Sequence, residues 1–197
     1  MAKQAMGFDA ELLKLFTGFP GVISSSAELT IFREQVVPKL HIRDRFDVEK
    51  DPRFKQVIPY VVVLDPKGLV WCYRRSNKGG EERLHDQWSV GIGGHMEGQD
   101  ASIGAAAFRE LEEEFNFSGD SRPSTIKRVG LLYSDATPVD QVHFGAIYVT
   151  DCEGILSPRD AEIAEVKLVD IAELGELQLE SWSTLVYETL LKTGKIR

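Results

Sequence analysis

Residues 91–116 read GIGGHMEGQDASIGAAAFRELEEEFN, a glycine-rich segment followed by an acidic one. Its glycine-rich first part leads into residues 102–115, where apolar residues recur at helical spacing and predict a helix. No Gly-Lys-Ser/Thr follows the glycines, and Met96 stands where a dinucleotide-binding fingerprint needs its third glycine. The stretch therefore predicts a glycine-rich loop followed by an acidic helix, and it excludes a P-loop.

Three carboxylates share one side of this predicted helix. At about 100° per residue, with Glu110 as the origin, Glu113 falls at about 300° and Glu114 at about 40°. Glu112 falls at about 200° and faces away from the other three. Like charges at this spacing destabilise a helix, whereas Mg²⁺ and Mn²⁺ bind clustered carboxylate oxygens. A solvated acidic face would explain the helix alone, but the loop before it favours a metal site.

The segment resembles the Nudix box, Gly-x5-Glu-x7-Arg-Glu-U-x-Glu-Glu-x-Gly-U, in which U is a bulky aliphatic residue. Residues 109–114 match the Arg-Glu-U-x-Glu-Glu core at every fixed position. Counted from Gly94, the upstream Glu is replaced by Asp100, and one extra residue precedes the core. Asn116 replaces the final glycine, a change that a helix end tolerates. The box covers residues 94–117, and the order of predicted strands from 57 to about 170 also resembles the family, whereas residues 1–55 are not covered.

This resemblance implies an α/β fold, the Nudix-type α/β/α sandwich with a mixed β-sheet. The Nudix domain would occupy residues 56–197 and end in a C-terminal helix, after a partly helical N-terminal extension at 1–55. The implied activity is that of a pyrophosphohydrolase, which cleaves a phosphoanhydride (diphosphate) bond in a nucleoside diphosphate derivative or a similar small molecule. Mg²⁺ or Mn²⁺ is the implied cofactor.

The resemblance also assigns site residues. The metal ligands would be four carboxylates, those of Glu110, Glu113, Glu114 and Asp100. Arg109 would hold a carboxylate in place, and it is expected to act in catalysis together with Glu110 and Glu113. The general base is a further carboxylate, either Glu97 in the loop or Glu165 before the last strand, and the sequence does not choose between them.

Substrate contacts are expected near the site. A diphosphate needs cations beyond the metal, and Arg74 and Arg75 are the candidates for phosphate contact. Lys78 and Arg83 follow them in the chain. Gly93 and Gly94 are expected beside the substrate. The aromatic residues Trp71, Tyr73 and Trp88 are more typical of a core than of a base-stacking platform. Likewise His95 and His143 are more typical of structural hydrogen bonding than of catalysis.

The rest of the chain is predicted from its periodicity. Residues 1–38 look helical, with helices over 10–16 and 27–37 capped by Asp9 and Ser26, and the charged stretch 39–55 looks like a solvated connector. Apolar and β-branched runs predict a hairpin, four further strands and a closing helix with a Ser181 cap and Gly194 after its end. The hairpin strands are 57–64 and 69–75, the other strands 88–92, 126–133, 142–150 and 163–169, and the helix 181–191.

Composition limits the kinds of partner and the cellular compartment that we expect for this protein. The 197 residues are 43% hydrophobic and carry a net charge of −8, which argues against a nucleic-acid polymer as partner. Two cysteines without zinc spacing indicate reduced thiols, and the absence of an apolar leader or membrane-spanning run predicts a cytoplasmic protein. The expected partner is a small diphosphate substrate, and apolar faces in residues 1–55 could pair two subunits.

Two alternatives compete with the hydrolase. One is a catalytically silent Nudix-type module that binds a nucleotide and regulates a partner; intact Glu110, Glu113 and Glu114 argue against it. The other is an isopentenyl-diphosphate isomerase-like enzyme, whose family shares this fold and uses a catalytic cysteine in a Cys-x-His-Pro-like context. Cys72 has no such context.

Overall fold

The computed structural model describes residues 3–76, 86–118, 122–159 and 163–196. Their backbone forms two compact units. The first unit comprises the described parts of residues 1–60, 93–107 and 128–147, and the second comprises those of residues 61–92, 108–127 and 148–197.

Twelve strands and five α-helices follow one another along the described residues. The strands are β1 (Gln4–Asp9), β2 (Gly21–Ile23), β3 (His41–Asp44), β4 (Phe54–Leu64), β5 (Val70–Arg75), β6 (Trp88–Ser89), β7 (Gly91–Ile92), β8 (Phe115–Phe117), β9 (Lys127–Tyr133), β10 (His143–Asp151), β11 (Leu156–Pro158) and β12 (Ile163–Val169). The helices are α1 (Ser26–Ile31), α2 (Arg45–Val48), α3 (Ile103–Glu114), α4 (Pro138–Val142) and α5 (Ser181–Val186).

Irregular helical turns extend two of these helices. Helix α1 continues as a π turn over Phe32–Val36 and α5 over Tyr187–Leu191. Separate 3₁₀ turns cover Ala10–Leu15, Val37–Lys39 and Ile171–Glu176.

The first unit contains residues 54–60 of β4, 143–147 of β10 and 128–133 of β9, together with β1, β2 and β3. The strand order here is β4-β10-β9-β2, and β1 pairs antiparallel with both β3 and β4. Its core is aromatic. The fully buried Phe144 ring is surrounded by Phe8 at 5.0 Å, Phe19 at 5.5 Å and Phe32 at 5.5 Å between centroids. Because Phe8, Phe19 and Phe32 precede residue 39, the N-terminal segment supplies much of this core.

The second unit contains residues 61–64 of β4 together with β5, β6, β7 and β12. Here β5 pairs with β4, β6 and β12, and β7 pairs with β4. The turn between β4 and β5 confirms the predicted hairpin. The Asp65 carboxylate accepts hydrogen bonds from the backbone N–H groups of Lys67 (2.9 Å) and Leu69 (2.8 Å), and Gly68 takes the φ of +85° that the turn needs. Strands β8 and β11 pair separately.

The prediction that residues 1–38 are helical is wrong in two places. Residues 4–9 form β1 and residues 21–23 form β2, and both strands pair with residues far away in the chain. Such long-range pairing overrides local helical spacing. Asp9 makes no side-chain cap, and Ser25 rather than Ser26 caps α1 by accepting from Glu28 N at 3.3 Å.

The prediction of a solvated connector at residues 39–55 is right for most side chains, which are exposed or half-buried, but wrong for the backbone, which is not a simple connector. This stretch contains β3 and α2, and Lys55 is only 2% exposed. The Lys55 ammonium donates to the Pro52 carbonyl at 2.9 Å, to the Tyr133 hydroxyl at 3.3 Å and to the Gln141 carbonyl. The charge-rich composition of this stretch therefore did not indicate that one of its ammonium groups is buried and has three oxygen acceptors.

The closing helix begins where it was predicted, but its cap differs. Glu180, not Ser181, is the N-cap, and its carboxylate accepts from the backbone N–H groups of Trp182 and Ser183, each at 3.1 Å. Gly194 lies beyond the helix end with a φ of +68°. None of the helices in the described ranges is long and apolar enough to span a bilayer. The proposed domain boundary after residue 55 stays a prediction.

Candidate active site

Helix α3 begins and ends as its sequence predicts. The Ser102 hydroxyl accepts from the backbone N–H of Ala105 at 3.0 Å, which satisfies a donor of the first turn. Ile103, Ala106 and Leu111 are buried and hold one face of the helix in the protein. Burial of this face fixes the orientation of the helix, and with it the direction in which the acidic side chains point.

Arg109 joins two of the predicted metal ligands. Its Nη1 lies 2.8 Å from Glu110 Oε1 and 3.0 Å from Glu113 Oε2, so one nitrogen contacts both carboxylates. Glu110 is buried, at 7% exposure, whereas the side chain of Glu113 is 57% exposed. The pair thus combines a carboxylate fixed in the protein with one that faces solvent.

Glu112 points elsewhere, and its carboxylate pairs with Arg122. Two hydrogen-bond donors of Arg159 lie at the end of α3. The Arg159 guanidinium donates to the Glu112 carbonyl at 2.7 Å, and the Arg159 backbone N–H donates to the Glu114 carbonyl at 2.8 Å. These donors offset the negative end of the helix dipole, where acidic side chains are unfavourable.

Within the described ranges, no three His, Cys, Asp or Glu side chains lie close enough together to hold a metal ion. The donor chemistry nevertheless fits a hard divalent cation. Carboxylate oxygens of Glu110 and Glu113 both lie next to Arg109 Nη1, so they are close to one another. Glu114 follows on the same helix, and carboxylate oxygens are the ligands that such a cation prefers. A cation at that point would have to displace this guanidinium contact.

The box loop, residues 93–100, is held tightly in the first unit. A Cβ at Gly93 would lie 1.9 Å from the Pro59 carbonyl oxygen, so no larger residue fits there. The Met96 backbone donates to Val57 O at 3.4 Å and accepts from Met6 N at 3.2 Å. Strand β1, at the start of the chain, therefore binds the loop directly.

Asp100 and Glu97 close a turn in this loop. The Asp100 carboxylate accepts from the Glu97 backbone N–H at 2.8 Å, and Glu97 O accepts from Asp100 N at 3.1 Å. The exposed Glu97 carboxylate also accepts from the Gln99 amide. Since Ser102 caps α3, Asp100 is not needed as the cap, and its carboxylate stabilises the loop.

His95 and His143 form a contact that the sequence did not indicate. Their Nε2 atoms lie 3.1 Å apart, and His143 Nδ1 lies 2.8 Å from the Val139 carbonyl oxygen. Burial, with His143 and the cations Arg45 and Lys3, lowers the pKa of His95 to about 2. Burial is also the main cause that lowers the pKa of His143. Both rings are neutral at physiological pH.

This pair predicts acid sensitivity. The folded-state pKa of each ring lies below its ordinary value of 6.5, so below that pH the unfolded chain binds more protons and folding is disfavoured. Lowering the pH from 7 to 5 should cost roughly 2 kcal/mol of unfolding free energy through His95 alone.

Urea unfolding at pH 7, 6 and 5 would measure this dependence. The double variant His95→Gln/His143→Gln should lose most of it, whereas His41→Gln, at an exposed histidine, should retain it. An unfolding free energy that does not fall between pH 7 and 5 in the wild-type protein would contradict the prediction.

The predicted phosphate-binding arginines already have partners. Arg74 lies 3.0 Å from Asp86 and 3.4 Å from Glu165, so this candidate base and this candidate phosphate ligand pair with each other. The Arg75 guanidinium donates to the Tyr73 hydroxyl at 3.1 Å. Lys78 and Arg83 lie outside the described residues.

The remaining strand residues belong to the core. Trp71, Tyr73 and Trp88 are all buried, which agrees with the core interpretation rather than with base stacking. The Tyr73 ring packs against Phe115, the first residue of β8, at 5.8 Å between centroids. Burial raises the pKa of the Cys72 thiol to about 12, so this thiol is a poor nucleophile and the isomerase alternative loses its cysteine.

The sequence of this chain is similar to those of known proteins. A family model for the NUDIX domain matches residues 55–190. The protein YmaB of Bacillus subtilis (strain 168) is 33% identical over 187 residues, which cover 87% of this chain and 88% of YmaB.

Among the solved structures that match, one covers nearly the whole chain and another covers only part of it. Tm1382, described as a candidate Nudix hydrolase, superposes with a TM-score of 0.76 at 28% identity and covers 97% of this chain and 100% of its own. A bifunctional NMN adenylyltransferase/ADP ribose pyrophosphatase of Francisella tularensis, complexed with AMP and a Mn ion, reaches a TM-score of 0.53 at 17% identity. That match covers 71% of this chain and 42% of the other, and it shows the fold alone.

Proposed function

Because the chain belongs to the NUDIX domain family and is a Nudix-type pyrophosphohydrolase, we propose that it hydrolyses the diphosphate bond of a nucleoside diphosphate derivative or a similar small molecule, with Mg²⁺ or Mn²⁺ as cofactor. The observation that carries this proposal is the contact of one Arg109 nitrogen with both Glu110 and Glu113. It brings two hard oxygen donors to one point on α3. The manganese ion and AMP bound by the Francisella tularensis enzyme are consistent with it.

Glu110, Glu113 and Glu114 would hold the cation. When bound, a divalent cation neutralises diphosphate oxygens and lowers the pKa of a water molecule. Arg109 keeps the Glu110 and Glu113 carboxylates oriented, and it limits the electrostatic repulsion between them before a cation binds. Asp100 is assigned to the same metal by resemblance to the family, and its bond to the Glu97 backbone fixes the loop that carries it.

The general base remains one of two carboxylates. Glu97 is exposed in the box loop, beside the glycines that would approach the substrate, whereas Glu165 pairs with Arg74. Because the Glu165 carboxylate is already engaged in an ion pair, we propose Glu97 as the base. Arg74 and Arg75, the last two residues of β5, are the proposed cations for the phosphates.

A substrate panel would test this proposal. Purified protein is incubated with ADP-ribose, dinucleoside polyphosphates, nucleotide sugars, coenzyme A and nucleoside triphosphates, each with Mg²⁺ or Mn²⁺ and each with EDTA. We expect metal-dependent release of a nucleoside monophosphate or an equivalent phosphate product from at least one class. Binding of a nucleotide without any turnover, measured by calorimetry on the same panel, would instead indicate the silent regulatory module.

Metal should also stabilise the folded protein. A cation that binds only the folded chain adds about 2.7 kcal/mol to the unfolding free energy at a hundredfold excess over its Kd. We expect MnCl₂ in the millimolar range to raise Tm in wild-type protein and to raise it much less in Glu110→Gln. Equal Tm shifts in both proteins would place the cation elsewhere, and no shift in either would contradict a metal site on α3.

A further inference from the structure

We infer that the contact between His95 and His143 locks the box loop, so that His143 is a positioning residue for Glu97 and Asp100. This inference rests on the proposed function, because it concerns the loop that carries the proposed base and a proposed ligand. It assigns a role to a strand residue that lies far from the box in the chain. The structural argument concerns only the first unit, which contains all of these residues.

The hydrogen-bond pattern has a definite direction. The Val139 carbonyl can only accept, so the proton of a neutral His143 ring lies on Nδ1, 2.8 Å away. His143 Nε2 is then an acceptor. The Nε2 of His95, 3.1 Å from it, must carry the hydrogen. Helix α4 thus fixes the tautomer of His143, and His143 fixes the tautomer and orientation of His95.

The surroundings keep both rings in this state. The charged groups facing the pair are Lys3 and Arg45 for His95, and Glu49, Arg45 and Asp140 for His143. Arg45 also pairs with Glu49 at 3.2 Å, and Asp140 accepts from the Ser134 hydroxyl at 3.2 Å. Burial and the cations outweigh the acidic groups, so protonation of either ring is unfavourable. A proton on both Nε2 atoms would turn the contact into a repulsion.

The loop depends on this contact because it lies between two further close contacts of the described loop residues. Gly93 is pressed against Pro59 O, and Met96 is bonded to Val57 and Met6 through its backbone. His95 is thus the side chain that ties the middle of the box loop to β10. The reciprocal turn of Glu97 and Asp100 begins two residues later. A reoriented His95 would move the start of that turn.

The first experiment reads the tautomers without any activity. Protein labelled with ¹⁵N-histidine is examined by long-range ¹H–¹⁵N correlation between pH 5.5 and 8. We expect the proton of His95 on Nε2, that of His143 on Nδ1, and no titration of either ring. An ordinary titration near pH 6.5 by either ring, or the opposite tautomers, would overturn the inference even if the enzyme is active.

The second experiment separates positioning from folding. His143→Leu removes the acceptor, whereas His143→Gln retains one near the place of Nε2. We expect amide hydrogen exchange at Met96 and Glu97 to rise about tenfold in His143→Leu and much less in His143→Gln. His41→Gln, at an exposed ring that contacts Phe54 rather than the box loop, is the matched control. Unchanged exchange rates in a folded His143→Leu protein would contradict the inference that His143 positions the box loop.

Kinetics complete the test on a substrate that the wild-type protein hydrolyses. For His143→Leu we expect kcat to fall about 10- to 100-fold, the range typical of residues that orient a site, with KM nearly unchanged and partial rescue in His143→Gln. A wild-type protein without turnover would refute the proposed function, while the tautomers and exchange rates would still decide on the lock. If His143→Leu does not fold, the wild-type tautomers and His143→Gln exchange decide instead.

Discussion

Glu113→Gln should leave the fold intact and lower hydrolysis on the order of 10²- to 10³-fold, the loss typical when one electrostatic stabiliser of a transition state is removed. The change keeps the size and helix propensity of the side chain but removes its charge. Because the Glu113 side chain is 57% exposed, its replacement should cost little stability. The measurement is kcat/KM with Mn²⁺ on the substrate found for the wild-type protein, together with a melting curve.

Glu112→Gln is the matched control on the same helix. Its carboxylate pairs with Arg122 rather than with Arg109, so kcat/KM should stay within about twofold of the wild-type value. Comparable losses in both variants would mean that the helix responds to its total charge rather than to a specific ligand. Wild-type activity in Glu113→Gln would refute its role as a ligand.

Phe144→Ala should be the most destabilising of these changes, at about 3 to 5 kcal/mol. The Phe144 ring is fully buried and contacts Phe8, Phe19 and Phe32 with centroid distances of 5.0 to 5.5 Å. Removing it leaves a cavity and breaks several aromatic contacts at once. Urea denaturation followed by far-UV circular dichroism would measure the loss, which is a large part of the total stability of a typical protein.

Phe46→Ala is the control for this prediction. Phe46 belongs to the same unit but is 90% exposed, so its loss should change the unfolding free energy by less than about 0.5 kcal/mol. If Phe144→Ala costs no more than Phe46→Ala, the aromatic cluster does not hold the first unit together.

The family and the fold class were predicted correctly, because the box is a local signal. Apolar spacing and the Arg-Glu-Leu-x-Glu-Glu core lie within one continuous stretch, so α3 can be derived from the sequence. The same spacing brings Arg109 close to the carboxylates at i+1 and i+4. The hairpin around Asp65 is local in the same way. The roles of the box residues in catalysis stay predictions.

Features that depend on distant partners could not be predicted. Strand β1 exists because it pairs with β3 and β4, and its Met6 binds the loop at Met96, yet nothing in residues 1–9 indicates these partners. Likewise the side chain of Lys55 resembles that of any other lysine in a charged stretch until Tyr133 and Gln141 provide acceptors. The pairing of His95 with His143 has no sequence signal, because each residue is by itself an ordinary structural histidine.

The burial of Lys55 makes this residue a chemical reporter of opening in the first unit. An ammonium group that donates to three oxygens and is 2% exposed cannot react with acylating reagents in the folded state. Exposed lysines such as Lys39 and Lys50 do not share this protection. The extent of acylation at Lys55, measured by mass spectrometry of proteolytic peptides, would therefore give the fraction of molecules in which this unit has opened, without any spectroscopic label.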